Sequence, residues 1–168
     1  MINYTDIETN IITIDGKYNN PLTTTHEKIL YSKLAVLEFC GWIEESLDQM
    51  LKDYMNSRIM VPNQKYVIDN IIKKNSGFEY GTYTRKMFCS VLGMKNLESI
   101  ETTLNGNGGQ IVTLESLLQN YTKIRNDAAH NSTPLGTTLS YNAPSVVLAD
   151  FRRIKPIFLG LEASVSCL

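Results

Sequence analysis

Leu34-Ala35-Val36-Leu37-Glu38-Phe39-Cys40-Gly41-Trp42-Ile43-Glu44-Glu45-Ser46-Leu47 is the stretch that decides the fold class. Apolar residues return at Val36, Cys40, Ile43 and Leu47 and continue to Leu51 and Tyr54, which is the period of a helix and not of a strand. A second row at Leu30, Leu34 and Leu37 widens the apolar face, and Glu44, Glu45, Asp48 and Lys52 form the wet side. Just upstream, Thr24-Thr25-His26-Glu27 fits a capping box, in which the Thr hydroxyl and the Glu carboxylate satisfy orphan backbone donors. A helix is therefore expected from about Thr24 to about Ser57. Gly41 interrupts the first row at a cost of about 1 kcal/mol against alanine, so it is expected to mark a kink or a close helix crossing.

The rest of the chain keeps the same period. Pro62 suits the first turn of a helix carrying Tyr66, Val67, Ile71 and Ile72, with Asn75-Ser76-Gly77 as its stop. Tyr83, Met87, Phe88, Val91 and Leu92 predict another helix ending at Gly93, and a weaker segment runs from Leu97 to Leu104. Asn105-Gly106-Asn107-Gly108-Gly109 reads as a flexible loop. It is not a phosphate loop, because no strand precedes it and no Lys-Ser or Lys-Thr closes it. Thr113 is expected to cap the next helix, with Leu114, Leu117, Leu118, Tyr121, Ile124 and Ala128 buried. A last helix should begin near Pro144, bury Val147, Phe151, Ile154, Phe158 and Leu161, and bend or restart at Pro156 before ending near Ala163. At the N-terminus, Ile11-Ile12-Thr13-Ile14-Asp15-Gly16-Lys17-Tyr18 combines β-branched residues with Asp-Gly, a hairpin signal. The predicted fold is all-α: a bundle of four to five helices forming one domain over residues 24–168, with an arm over residues 1–23 that carries a small β-hairpin.

Composition narrows the class. A chain of 168 residues with 43% hydrophobic content suits one domain with one core. Sixteen Lys plus Arg nearly balance seventeen Asp plus Glu, so no global positive field draws in nucleic acid and any RNA binding must be local. The first residues lack a secretory signal and no apolar run is long enough to span a bilayer, so a soluble, cytoplasmic protein without membrane association is expected. Cys40, Cys89 and Cys167 make neither a disulfide framework nor a CxxC pair and read as buried free thiols. His26 reads as a first-turn surface residue. It lies far from His130, and no Cys stands at ligand spacing from either, so no metal and no cofactor is expected.

Chemistry concentrates in Arg125-Asn126-Asp127-Ala128-Ala129-His130. Arg clamps phosphate with a planar fork, and His is the residue type that moves protons near neutrality. On an ideal helix Asn126 and His130 share a face, whereas Arg125 and His130 diverge by roughly 140°. Convergence therefore needs either a helix that frays near His130 or a two-fold partner that pools two Arg and two His in one cleft. Ordinary helix-end electrostatics explain the same residues, since cations favour the last turn. Lys123, Arg152 and Arg153 extend a candidate basic strip for RNA phosphates, although solvated helix faces account for them equally. Tyr121 and Tyr141 are candidates for base stacking, with Tyr121 placed in the core by its helical stripe. Glu38, Glu44 and Glu45 form no evident acid pair.

The hexapeptide resembles the signature of the HEPN superfamily, the higher eukaryote and prokaryote nucleotide-binding domains: Arg, a polar residue that is usually Asn, three spacers, and His. The context is similar as well, with the signature late in an all-α bundle behind a long amphipathic helix. Residues 34–55 resemble the opening helix of the branch found in bacterial defence and toxin–antitoxin systems. The resemblance implies a metal-independent endoribonuclease working as a homodimer. Arg125 would hold the scissile phosphate, His130 would move the proton, and Asn126 would orient one of them. Attack by the ribose 2′-hydroxyl would leave a 2′,3′-cyclic phosphate. It also admits a non-catalytic module that binds a nucleotide, RNA or an antitoxin-like protein partner. Asp127 at a spacer position brings negative charge close to a phosphate site unless it turns to solvent.

Overall fold

A computed structural model describes residues 2–56, 58–106, 108–136 and 140–168. Among them are seven α-helices and no strand, so the protein is all-α: α1 (Tyr4–Tyr18), α2 (Thr25–Asn56), α3 (Val61–Val67), α4 (Arg85–Leu92), α5 (Met94–Gly106), α6 (Gln110–His130) and α7 (Pro144–Ser166). A π-helical turn, Ile68–Ile72, continues α3, and a second, Tyr80–Thr84, leads into α4.

The long helix is built as its sequence demands. Glu27 Oε2 accepts from both the Thr24 N–H and the Thr24 hydroxyl at 2.8 Å, and the Glu27 N–H donates back to Thr24 Oγ1 at 3.3 Å. Val36, Cys40, Ile43, Leu47 and Leu51 are all buried along α2, while Leu30 and Leu34 are more than 40% exposed. Gly41 is neither a crossing point nor a break. A Cβ there would meet nothing within 4 Å, and α2 runs unbroken past it.

The expected β-hairpin is overturned: Ile11 to Tyr18 is the C-terminal half of α1. Ile7, Ile11 and Ile14 recur at helical spacing and are buried against α2 and α7, and this burial outweighs the β-branched preference and the glycine. Asn3 caps the helix by accepting from the Thr5 and Asp6 N–H groups. The Asn3 carbonyl also accepts from Trp42 Nε1 at 3.0 Å, which fastens α1 to the centre of α2.

Around Trp42 lies an aromatic core. Its ring stacks on Phe158 at 5.0 Å and meets Phe151 edge-on at 5.2 Å, and Phe39 meets Tyr121 edge-on at 4.8 Å. Cys40 is buried beside these rings, with Sγ 3.9 Å from the Tyr121 carbonyl oxygen. Cys89 is half-buried and Cys167 exposed, so the three thiols do not share one environment.

Three boundaries differ from expectation. Gly109, at φ +73°, caps α6, so that helix starts at Gln110 and Thr113 lies inside its first turn. Tyr66 is 65% exposed, because the chain turns π-helical just beyond it and only Ile72 of that segment is fully buried. Pro156 lies inside an uninterrupted α7 on its exposed side, where water can satisfy the carbonyl that loses its partner. No helix among the described residues is long and apolar enough to cross a membrane.

Candidate functional site

The signature occupies the last turns of α6. The apolar stripe of that helix, from Ile111 through Tyr121 to Ala128, is buried and thereby turns Asn126, Asp127 and His130 to solvent. α6 stays helical through His130, with the Asn131 N–H donating to the Asp127 carbonyl at 3.1 Å. The frayed end that would aim Arg125 and His130 together is therefore not formed. On one chain the two side chains diverge as an ideal helix requires.

Arg125 is half-buried and reaches α2. Its Nη2 donates to Glu44 Oε1 at 3.2 Å and its Nη1 to Asn126 Oδ1 at 3.3 Å. One carboxyl oxygen of Glu44 and the neighbouring Asn126 amide oxygen are thus the partners any incoming anion must compete with. Arg125 lines a cavity of about 180 Å³ together with Glu44, Asp48, Asn75, Phe78 and Met87. Burial raises the Asp48 carboxyl above its ordinary value; Lys52 opposes this and Glu44 adds to it. The cavity thus joins one guanidinium to two carboxyls.

His130 lies outside this cavity, exposed, and makes no hydrogen bond or ion pair among the described residues. Beside it, Lys33 of α2 donates to the Asn131 carbonyl at 2.7 Å, which fixes the end of α6 and brings a cation to it. Tyr141 donates to the Asp127 carbonyl at 3.5 Å. Tyr121 is fully buried with its hydroxyl donating to Asp150 at 2.8 Å, so it belongs to the core and offers no stacking face.

The candidate basic strip is dispersed. Lys123 is exposed on α6. Arg152 turns to α1, where Nε meets Glu8 Oε1 at 2.9 Å, and Lys155 joins the same carboxylate at 3.2 Å. Their hydrogen bonds hold the Glu8 carboxyl below its ordinary value. Arg153 is exposed, and neither arginine lines the cavity at Arg125. His26 is half-buried in the first turn of α2, with Nδ1 shielded from solvent. Among the described residues no three His, Cys, Asp or Glu side chains gather as a metal-holding group.

Sequence reasoning missed Glu44 and Lys33 as neighbours of the signature. Glu44 carries one local signal: it stands one turn beyond Cys40, as Arg125 stands one turn beyond Tyr121, and Cys40 touches Tyr121. That register is visible only once the two helices are packed.

No protein-family model, no curated protein and no solved structure matches the chain.

Proposed function

We propose that the chain is a HEPN-type, metal-independent endoribonuclease of the cytoplasm, active as a homodimer, in which Arg125 holds the scissile phosphate and His130 transfers the proton. The observation that carries this is the state of His130: exposed, and without an intramolecular hydrogen-bond or ion-pair partner among the described residues. A histidine retained for the core would be buried and satisfied. Asn126 touches the Arg125 guanidinium, which suits an orienting role. Asp127 is exposed and so need not face the phosphate. Since α6 does not converge the pair, the second copy must bring its His130 toward Arg125. The reaction is attack of the ribose 2′-oxygen on phosphorus, with the proton leaving to one base and the 5′-oxygen leaving with a proton from an acid. The test is incubation of purified protein with mixed-sequence RNA in excess EDTA. Cleavage that survives chelation, leaves cyclic phosphate ends, spares DNA and disappears in His130→Ala is expected. Equal cleavage by both proteins would sink the assignment.

One observation favours a second reading, a non-catalytic module. Glu44 already occupies Arg125, and the cavity around it carries two carboxyls. RNA that stays intact, together with saturable binding of a nucleotide or an antitoxin-like protein that Arg125→Ala abolishes, would select it.

A further inference from the structure

A second cleft, of about 330 Å³, adjoins the Arg125 cavity, and the two share Asn75 and Met87 as common wall. Its walls come from both π-helical turns: Asn70 and Ile71 from one, Thr82 and Tyr83 from the other. Such turns are rare and concentrate at functional sites. Lys74 and Lys86 face the cleft, and none of the residues lining it is acidic. Lys74 donates only to the Asn70 side-chain oxygen, at 3.1 Å, and neither lysine has an ion-pair partner among the described residues. This contrasts with Lys73, the neighbour of Lys74, which pairs with Asp69 at 2.7 Å. The Tyr83 ring is held from behind, since a Cβ at Gly77 would lie 3.1 Å from two of its carbons.

Two uncompensated ammonium groups beside a braced aromatic ring match a phosphate joined to a base. The charge offers the backbone a resting place, and the ring offers a stacking face that tolerates any base. We propose that this cleft binds the nucleotide flanking the one at Arg125, so that single-stranded RNA crosses Met87 from the Arg125 cavity to Lys74 and Lys86. The proposal rests on the ribonuclease assignment for the direction of the strand, and it replaces the dispersed strip of Lys123, Arg152 and Arg153 as the phosphate track. It also answers the charge balance of the first cavity. An anion that Glu44 and Asp48 oppose at Arg125 is retained through its neighbouring phosphate.

The experiment measures fluorescence anisotropy of a labelled hexauridine whose 2′-oxygens are methylated, so that it cannot be cut, across a salt series. The full-length protein is compared with Lys74→Gln/Lys86→Gln, with Tyr83→Leu, and with Lys17→Gln/Lys95→Gln as a charge-matched control on exposed lysines. Losing one or two phosphate contacts should lower the salt slope by about 0.7 to 1.4 and weaken binding roughly tenfold at low salt. Tyr83→Leu should weaken it by about tenfold through lost stacking. The control should bind as the parent does, and Lys74→Arg/Lys86→Arg should restore affinity. Unchanged binding in Lys74→Gln/Lys86→Gln, or an equal loss in the control, overturns the cleft and leaves the ribonuclease assignment to the His130→Ala cleavage test. Lysine-dependent binding of an RNA that the protein never cuts upholds the cleft and overturns the assignment. No binding by the parent protein overturns the cleft.

Discussion

Glu101 of α5 accepts from Arg85 Nε at 2.7 Å, from Arg85 Nη2 at 3.2 Å and from the Tyr80 hydroxyl at 2.7 Å. It thereby ties the second π-helical turn and the start of α4 to the bundle. Burial alone would raise its carboxyl, but the hydrogen bonds from Arg85 and Tyr80 outweigh burial and hold it below its ordinary value. A carboxyl lowered in the folded state stabilises the fold above the unfolded value of about 4.3 and loses that contribution as pH falls through the lower folded value. Glu101→Gln should cost about 1 to 2 kcal/mol at neutral pH, toward the lower end for a charged hydrogen bond because Arg85 is partly in solvent. Urea midpoints of the parent and the variant should approach each other as the pH drops below the ordinary carboxylate range. A gap that persists unchanged in acid would mean that the carboxylate charge is not what stabilises this corner.

The helices show which signals are local and which are not. In α2 the capping box and the row Val36, Cys40, Ile43, Leu47 and Leu51 are contained in neighbouring residues, so its start and that row could be read directly, whereas Leu30 and Leu34 of the second row stay exposed. In α1 the row Ile7, Ile11 and Ile14 was present, yet Asp15-Gly16 spoke for a turn, and only contact with α2 and α7 decides between them. The candidate site divides the same way. The signature on α6 is six consecutive residues, whereas Glu44 and Arg125 lie 81 positions apart and meet only through the crossing of α2 and α6. Lys74 and Lys86 likewise come to one cleft because two π-helical turns place them there, and the period of an α-helix encodes no such turn. Gly41 supplies a prediction at this scale. With open space beside its Cα inside an unbroken helix, Gly41→Ala should raise stability by about 1 kcal/mol, read as a higher urea midpoint at constant slope. A lower midpoint would reveal a distortion in α2 that only glycine accommodates.

For the whole molecule, the divergence of Arg125 and His130 on one regular helix means that the proposed ribonuclease would need two chains to complete a site. Arg125→Ala and His130→Ala should each be inactive alone. Mixed and allowed to exchange subunits, they should recover about a quarter of parental RNA cleavage, because half of the dimers are mixed and each of these has one complete Arg–His pair. No recovery would mean that each active centre draws both residues from one chain.

Cys40 gives the wall between α2 and α6 a clock of its own. Burial, aided by Glu44 and opposed by Arg125, pushes its thiol up to about 12, so both access and thiolate formation depend on the two helices parting. Cys167 is exposed and Cys89 half-buried, so both are replaced when Cys40 is to be followed alone. In a Cys89→Ser/Cys167→Ser protein the labelling rate of Cys40 should therefore count openings of the very interface that holds Arg125. A rate equal to that of an exposed thiol would show the wall standing open.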